Sequence, residues 1–184
     1  LIRKWWVAWP DANVAIATGA ASGLVVLDVA PRHGGDESLS TLQTKHGKLP
    51  DTVEVLTGGG GRHIYFKHPG PGVAVRNATS LGGLPGLDLR GDGGYVVAPP
   101  SRHASGRTYE WEASSDPKRT PIAGMPEWLL GLVSAKPQTG APAAPTDGDG
   151  RISEGQRNHR RTRMAGALRR QGATPEVLEA AILR

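Results

Sequence analysis

The apolar residues of this chain occur in short, β-branched runs bounded by glycine or proline, and this pattern constrains the fold more than any other feature. Glycine and proline supply 26 and 15 of the 184 residues, and most of them separate apolar runs from one another. No apolar run approaches the about 20 residues that a membrane-spanning helix requires, so a transmembrane protein is excluded. The pattern predicts an α+β domain with many short strands.

Short β-branched apolar runs and alternation of apolar and polar side chains predict seven strands, at 14–17, 24–29, 52–57, 62–67, 87–89, 95–98 and 107–111. Apolar residues at helical spacing predict a helix over 36–46 that stops at Gly47, and a second helix over 126–133. The residues between the first two strands are expected to form a hairpin or a loop. Within 62–67, Ile64 and Phe66 alternate with His63 and Tyr65, so the two pairs should face opposite sides of a sheet.

Composition divides the chain into three parts. Residues 1–135 form the predicted core, and residues 136–150, rich in proline, alanine and glycine, are predicted to be a linker. Residues 151–184 are predicted to form a helical hairpin, because Ser153 and Gln156 make a capping box and Gly172 ends the first helix.

The positive charge is concentrated in this last part. Residues 1–150 carry 14 basic and 14 acidic side chains, whereas residues 151–184 carry 8 arginines and 3 glutamates. A basic segment attached to a neutral body favours contact with a polyanion such as nucleic acid. Arg160, Arg163 and Arg170 share a narrow arc of the predicted helix and are the candidate phosphate contacts. The alternative is a solvated, arginine-rich helix.

Two acidic residues lie inside predicted apolar strands. Asp28 interrupts the most apolar strand of the chain, and Asp88 is flanked by Leu87 and Leu89. A buried carboxylate is costly unless it is paired, hydrogen-bonded or bound to a metal. Two such acids on adjacent strands would suit a hard divalent cation such as Mg²⁺ or Mn²⁺. A structural role at a strand end is the alternative for Asp28.

The segment TGGGGRH, residues 57–63, joins two predicted strands and ends in a histidine. Glycines permit a close approach of the backbone, which suits a loop that cradles phosphate oxygens. The segment is neither a P-loop nor a dinucleotide-binding fingerprint, because no Gly-Lys-Ser/Thr and no helix follow it. A plain hairpin turn with a structural His63 is the alternative, and the other histidines show no metal-ligand spacing.

Taken together, three segments resemble the archaeo-eukaryotic primase superfamily, specifically the bifunctional primase–polymerase (Prim-Pol) domain of phage, plasmid and mobile-element replication proteins. They are LDVAPRHGG at 27–35, the glycine-rich loop at 57–65, and GLDLRGDGGYVVAPPS at 86–101, with GRTYEW at 106–111 extending the match. The resemblance covers about residues 13–133 and implies an α+β, RRM-related mixed sheet with flanking helices. The family usually has a further N-terminal portion, which this chain is expected to lack.

The resemblance implies a two-metal nucleotidyltransferase that synthesises primers from NTP or dNTP on a single-stranded DNA template. Asp28 and Asp88 would bind Mg²⁺ or Mn²⁺, and His63 would contact the triphosphate. Further nucleotide-binding candidates are Gly60 and Gly61 through their amides, Arg90 and Arg32. Residues 151–184 are similar to the helical region that often precedes a helicase, so a helicase domain or protein is an implied partner. A cytoplasmic location is expected, since a chain without cysteine fits a reducing compartment.

One position departs from the family pattern. The family carries a second acid two residues after the first, and side chains two apart on a strand share a face. Here that position is Ala30, which offers no ligand, so catalysis should be impaired. An introduced inactivating substitution is the favoured interpretation, and a naturally disabled domain is the alternative.

Three other functions compete with the polymerase hypothesis. A non-catalytic module that binds nucleic acid or nucleotide would keep the basic helices and use the acids structurally. A metal-dependent nuclease or phosphohydrolase would use the same clustered acids to cleave a strand. An adaptor that links a helicase to other replication proteins would depend on residues 151–184 instead.

Overall fold

The structure of the protein is a computed structural model, which describes residues 2–134. The predicted linker at 136–150, the helical hairpin at 151–184 and the candidate residues Arg160, Arg163 and Arg170 lie outside the described residues. None of the helices within residues 2–134 is both long enough and apolar enough to cross a membrane.

Three helices and eight strands make up the described residues. The helices are α1 (Ile2–Ala8), α2 (Gly35–His46) and α3 (Glu127–Ser134). The strands are β1 (Val14–Ala17), β2 (Leu24–Val29), β3 (Glu54–Leu56), β4 (Arg62–Lys67), β5 (Leu87–Arg90), β6 (Tyr95–Ala98), β7 (Glu110–Trp111) and β8 (Ala123–Gly124). This α+β composition agrees with the predicted fold class.

The main sheet has the strand order β5-β2-β4-β3-β7, and all of these neighbours are antiparallel. Strand β8 pairs with β4 in parallel, so the sheet is mixed, as predicted. Strands β1 and β6 form a separate two-stranded antiparallel sheet.

The two faces of the main sheet differ in what covers them. One face buries Val25, Leu27 and Val29 of β2 against apolar side chains of α2 and α3, including Leu39 and Leu129. The other face carries a smaller apolar cluster of Val26, Val53, Val55, Tyr65 and Val96. Because side chains alternate along a strand, the apolar run of β2 serves both clusters at once. Val96 of β6 brings the two-stranded sheet to the second face, which is only partly covered.

Most predicted elements are confirmed, and the exceptions are short or depend on distant partners. The predicted strands at 24–29 and 62–67 have the observed bounds, and the helix predicted at 36–46 begins one residue earlier. Of the hairpin or loop expected between the first two strands, the structure has the loop, because β1 pairs with β6 and not with β2. The isolated bridge Gly19–Leu24 links this loop to the start of β2. Helix α1 and the two-residue strand β8 carried no periodic signal strong enough to predict them.

Candidate active site

Asp88, Asp28 and His63 form one row across three adjacent strands. In the antiparallel register Asp28 of β2 stands opposite Asp88 of β5 on one side and opposite His63 of β4 on the other. Residues directly opposite each other in an antiparallel pair project from the same face of the sheet. Three segments that are far apart in the chain therefore place two carboxylates and an imidazole side by side.

The period of the central strand explains why the row faces away from the main core. Val25, Leu27 and Val29 are fully buried against the helices. Asp28 lies between the last two of these residues and must point to the opposite face, which is covered by only a small apolar cluster. The carboxylate side chain keeps 29% of its surface exposed there, so a ligand can reach it from solvent.

Arg90 supplies the positive charge beside the two acids. Its Nη2 atom lies 2.9 Å from Asp88 Oδ2 and 3.9 Å from Asp28 Oδ2. The backbone N–H of Ser80 donates a 3.1 Å hydrogen bond to Asp88 Oδ1, which holds that carboxylate in place. Arg90 thus compensates part of the negative charge of the acid pair.

Burial shifts the pKa values of Asp28 and His63 in opposite directions. Desolvation raises the pKa of Asp28 to about 6, with Arg90 opposing the rise and the Asp88 charge adding to it. Desolvation lowers the pKa of His63 to about 4, and the nearby Arg90 charge lowers it further. His63 is therefore neutral at pH 7, and its buried Nδ1 has no hydrogen-bond partner among residues 2–134.

Ala30 stands where a third ligand would be expected. Its backbone is extended (φ −110°, ψ 95°), and its N–H donates to Gly86 O at 2.8 Å. Ala30 therefore continues the extended backbone of β2 by one residue beyond Val29. Its side chain is a methyl group without a donor atom. Among residues 2–134 no group of three or more His, Asp or Glu side chains is arranged to hold a metal ion.

The glycine-rich turn between β3 and β4 lies beside this position. A Cβ atom on Gly61 would collide with the carbonyl oxygen of Val29 and lie 3.4 Å from Pro31 Cδ, so the turn packs directly on the end of β2. Thr57 closes the turn: its carbonyl accepts the Gly60 N–H at 2.9 Å, and its Oγ1 accepts the Gly61 N–H at 2.8 Å. The backbone amides of Gly60 and Gly61, which were predicted to bind phosphate, therefore already donate hydrogen bonds to Thr57.

The remaining predicted nucleotide-binding residues differ in position. Arg90 is part of the acid row, whereas Arg32 is exposed in a short 3-10 turn, Pro31–His33, that follows β2. The structure thus brings Asp28, Asp88, His63 and Arg90 together and leaves Arg32 at the edge of the site. The functional role of each residue stays a prediction.

Sequence reasoning did not single out three side chains near the row. The Tyr109 ring lies 5.9 Å from the His63 ring and 6.2 Å from the His103 ring, measured between centroids. The third side chain is that of Arg107. His103 and Arg107 both lie in the hairpin that the bridge Arg102–Thr108 closes. The segment 106–111 was marked by a predicted strand at 107–111 and by the family resemblance, but no spacing pattern marks these residues individually as functional.

The mixed sheet and its row of acid, acid and histidine define an α+β domain built around a polar site on its central strands. Residues 1–128 match the Prim-Pol family, described as bifunctional DNA primase/polymerase, N-terminal. The chain belongs to this family, which confirms the resemblance inferred from its motifs. No individual curated protein matches the chain closely enough to count as a relative.

Family membership establishes a domain of the primase/polymerase type, whose general activity is nucleotidyl transfer and whose substrates are DNA and nucleotides. Members of the family generally use divalent metal ions. These statements describe the family in general, and the roles of individual residues in this chain are proposed below.

Proposed function

We propose that this domain binds a nucleoside triphosphate at the Asp88–Asp28–His63 row and derives from a phage or mobile-element protein that primes DNA synthesis on a single-stranded template. The observation that carries the proposal is the register that sets these three side chains opposite one another on β5, β2 and β4. A half-buried acid with a raised pKa beside a buried neutral histidine is unusual in a purely structural strand pairing.

The two carboxylates of the row are ligands of the type that a divalent cation requires. Carboxylate oxygens are the ligands that Mg²⁺ and Mn²⁺ prefer, and Asp28 and Asp88 would hold the ion between β2 and β5. When bound, such an ion supplies charge neutralisation for a triphosphate and activates the attacking 3′-hydroxyl. Two carboxylates are fewer protein ligands than a pair of tightly held ions requires.

The protein side chains contribute binding and orientation. Neutral His63 carries one N–H, which can donate a hydrogen bond to a phosphate oxygen at pH 7. Arg90 offsets part of the repulsion between the acid pair and a polyanionic ligand. Tyr109 lies beside His63, with 5.9 Å between the two ring centroids.

Ala30 impairs this site, in our proposal, by removing the third carboxylate. Its extended backbone places its side chain on the Asp28 face, where an aspartate would extend the acid pair by one member. Nucleotide binding through His63 and Arg90 would survive, while nucleotidyl transfer would be slow. The proposed partners are a single-stranded DNA template, which residues 151–184 help to bind, and a helicase domain or protein.

Titration with a non-hydrolysable triphosphate tests the nucleotide-binding part. We expect the affinity to rise when Mn²⁺ is added, and to fall about tenfold in His63→Ala, the loss of one charge-assisted hydrogen bond. His46→Ala is the matched control, because this histidine lies in α2 and stacks on Trp128 instead. If the affinity of the wild-type chain for the triphosphate is the same with and without Mn²⁺, the non-catalytic binding module is favoured.

The nuclease alternative is separated from the polymerase in the Ala30→Asp background. A labelled primer on a template is incubated with Mg²⁺ or Mn²⁺ and the four dNTPs. Extension of the primer supports the proposed function, and shortening of the labelled strand supports a nuclease.

A further inference from the structure

A second polar cluster, separate from the acid row, lies over the glycine-rich turn. The hairpin that carries it folds back through a 2.8 Å hydrogen bond from the His103 N–H to the Arg107 carbonyl. Ser105 Oγ donates to Gly58 O at 2.8 Å, which ties the hairpin to the turn. A Cβ atom on Gly58 would collide with His103 Cβ, so glycine is required for this approach.

One ring nitrogen of His103, Nδ1, is engaged within its own hairpin. The backbone N–H of Ser105 donates to His103 Nδ1 at 3.1 Å. Nδ1 also lies 3.0 Å from Ser105 Oγ, so Ser105 occupies this nitrogen and Nε2 is the ring nitrogen left for a ligand. Nε2 lies 3.5 Å from the position that a Cβ atom on Gly59 would occupy, so it faces the glycine-rich turn.

Arg107 adds a positive charge at the same place. Its Nη2 atom lies 3.4 Å from the position of a Cβ atom on Gly60. Arg62 and Arg90 are both ion-paired, whereas no ion pair engages the Arg107 guanidinium within the part of the chain that is described. An exposed guanidinium can bind phosphate oxygens in a fork geometry.

Tyr109 connects this cluster to the acid row. Its ring neighbours both histidine rings, with centroid distances of 5.9 Å to His63 and 6.2 Å to His103. The cluster is thus one aromatic ring away from His63, which is within reach of a triphosphate chain that extends from the acid row.

We propose that His103 Nε2 and the Arg107 guanidinium form a phosphate subsite over the glycine-rich turn, which takes the terminal phosphates of a nucleoside triphosphate. The inference rests on the proposed function, because it places the rest of the nucleotide at the Asp88–Asp28–His63 row. The subsite uses side chains as donors, in keeping with the engagement of the Gly60 and Gly61 amides by Thr57.

The test compares dATP with dAMP by titration of the full chain in excess Mn²⁺. We expect Arg107→Gln and His103→Ala each to weaken dATP binding about tenfold, the loss of a charge-assisted hydrogen bond, and to leave dAMP binding unchanged. Arg107→Gln keeps most of the side-chain packing, so its result stands if His103→Ala proves poorly folded by circular dichroism. Arg119→Ala, which removes an exposed arginine from another loop, is the matched control for net charge.

Each outcome separates the subsite from the proposed function. If the wild-type chain binds dATP and Arg107→Gln binds it equally well, the subsite is wrong and the proposed function stands. If the wild-type chain binds neither nucleotide, the proposed function itself fails. Equal losses for dATP and dAMP would move Arg107 to the nucleoside end of the ligand and overturn the subsite. A loss confined to binding of an oligodeoxythymidylate strand would assign Arg107 to template phosphates and overturn the triphosphate assignment.

Discussion

Asp28 and His63 stand opposite each other on β2 and β4, with 3.8 Å between Asp28 Oδ1 and His63 Nε2, yet they do not form an ion pair at neutral pH. Burial raises the pKa of Asp28 to about 6 and lowers that of His63 to about 4. At pH 7 a carboxylate therefore faces a neutral imidazole, and at pH 5 both groups are largely uncharged. At neutral pH the surroundings of Asp28 therefore do not fully compensate its negative charge.

Asp28→Asn is expected to stabilise the fold at neutral pH. The folded-state pKa of Asp28 lies above its unfolded value of 3.8, so the carboxyl costs stability increasingly as the pH rises from about 4 to about 6. Removing the charge should raise the free energy of unfolding at pH 7 by about 1–3 kcal/mol, and the gain should vanish towards pH 4. Denaturant unfolding at both pH values measures this difference.

Asp88→Asn is the matched control for that prediction. It removes the same charge from the opposite position, but it gives up the 2.9 Å ion pair with Arg90. We expect no stabilisation at pH 7. A gain as large as that of Asp28→Asn would mean that general charge repulsion, and not the burial of Asp28, limits stability.

Gly61→Ala is expected to destabilise the protein by about 2–4 kcal/mol, since the added methyl group would collide with the carbonyl oxygen of Val29 and force β2 and the turn apart. Gly124→Ala, where a methyl group meets nothing within 4 Å, should change stability by less than about 0.5 kcal/mol. Urea denaturation of both variants provides the comparison. Equal stabilities would show that the turn is not packed against the acid strand.

Ala30→Asp is expected to raise template-dependent nucleotide incorporation, because a third carboxylate on the Asp28 face would increase metal occupancy. Primer extension with Mg²⁺ or Mn²⁺ measures the gain. Ala30→Asn introduces a side chain of nearly the same size without the charge and should give little increase. Equal activity of the unsubstituted chain and the Ala30→Asp variant would remove the proposed reason for impairment.

Neutralising Arg160, Arg163 and Arg170 together is expected to weaken binding to single-stranded DNA and to flatten its salt dependence. Each phosphate contact contributes about 0.7 to the slope of log affinity against log salt, so the slope should fall by about two units. A variant that neutralises the exposed residues Arg3, Arg76 and Arg119 is the control of equal charge. If the salt-dependence slope falls by the same amount in both variants, Arg160, Arg163 and Arg170 have no special role in DNA binding.

Local pattern was sufficient for the elements that form the centre of the domain. The apolar run of β2 and the alternation of His63 and Tyr65 with Ile64 and Phe66 predicted two strands with their observed bounds. Period-two alternation is a property of the chain itself, and it determines which side chains share a face before any partner strand is known. The sequence also identified Asp28 as an acid in an apolar strand and Ala30 as a departure from the family motif.

Only the tertiary structure decided which residues became neighbours. The pairing of β1 with β6, the row that joins Asp88, Asp28 and His63, and the hairpin that lays His103 and Arg107 over the glycine-rich turn all depend on contacts between distant segments. Register across a sheet is set by the mutual packing of several strands and helices, and no single segment contains that information. The sequence therefore determined the chemistry of each strand, and the fold determined which chemistries meet.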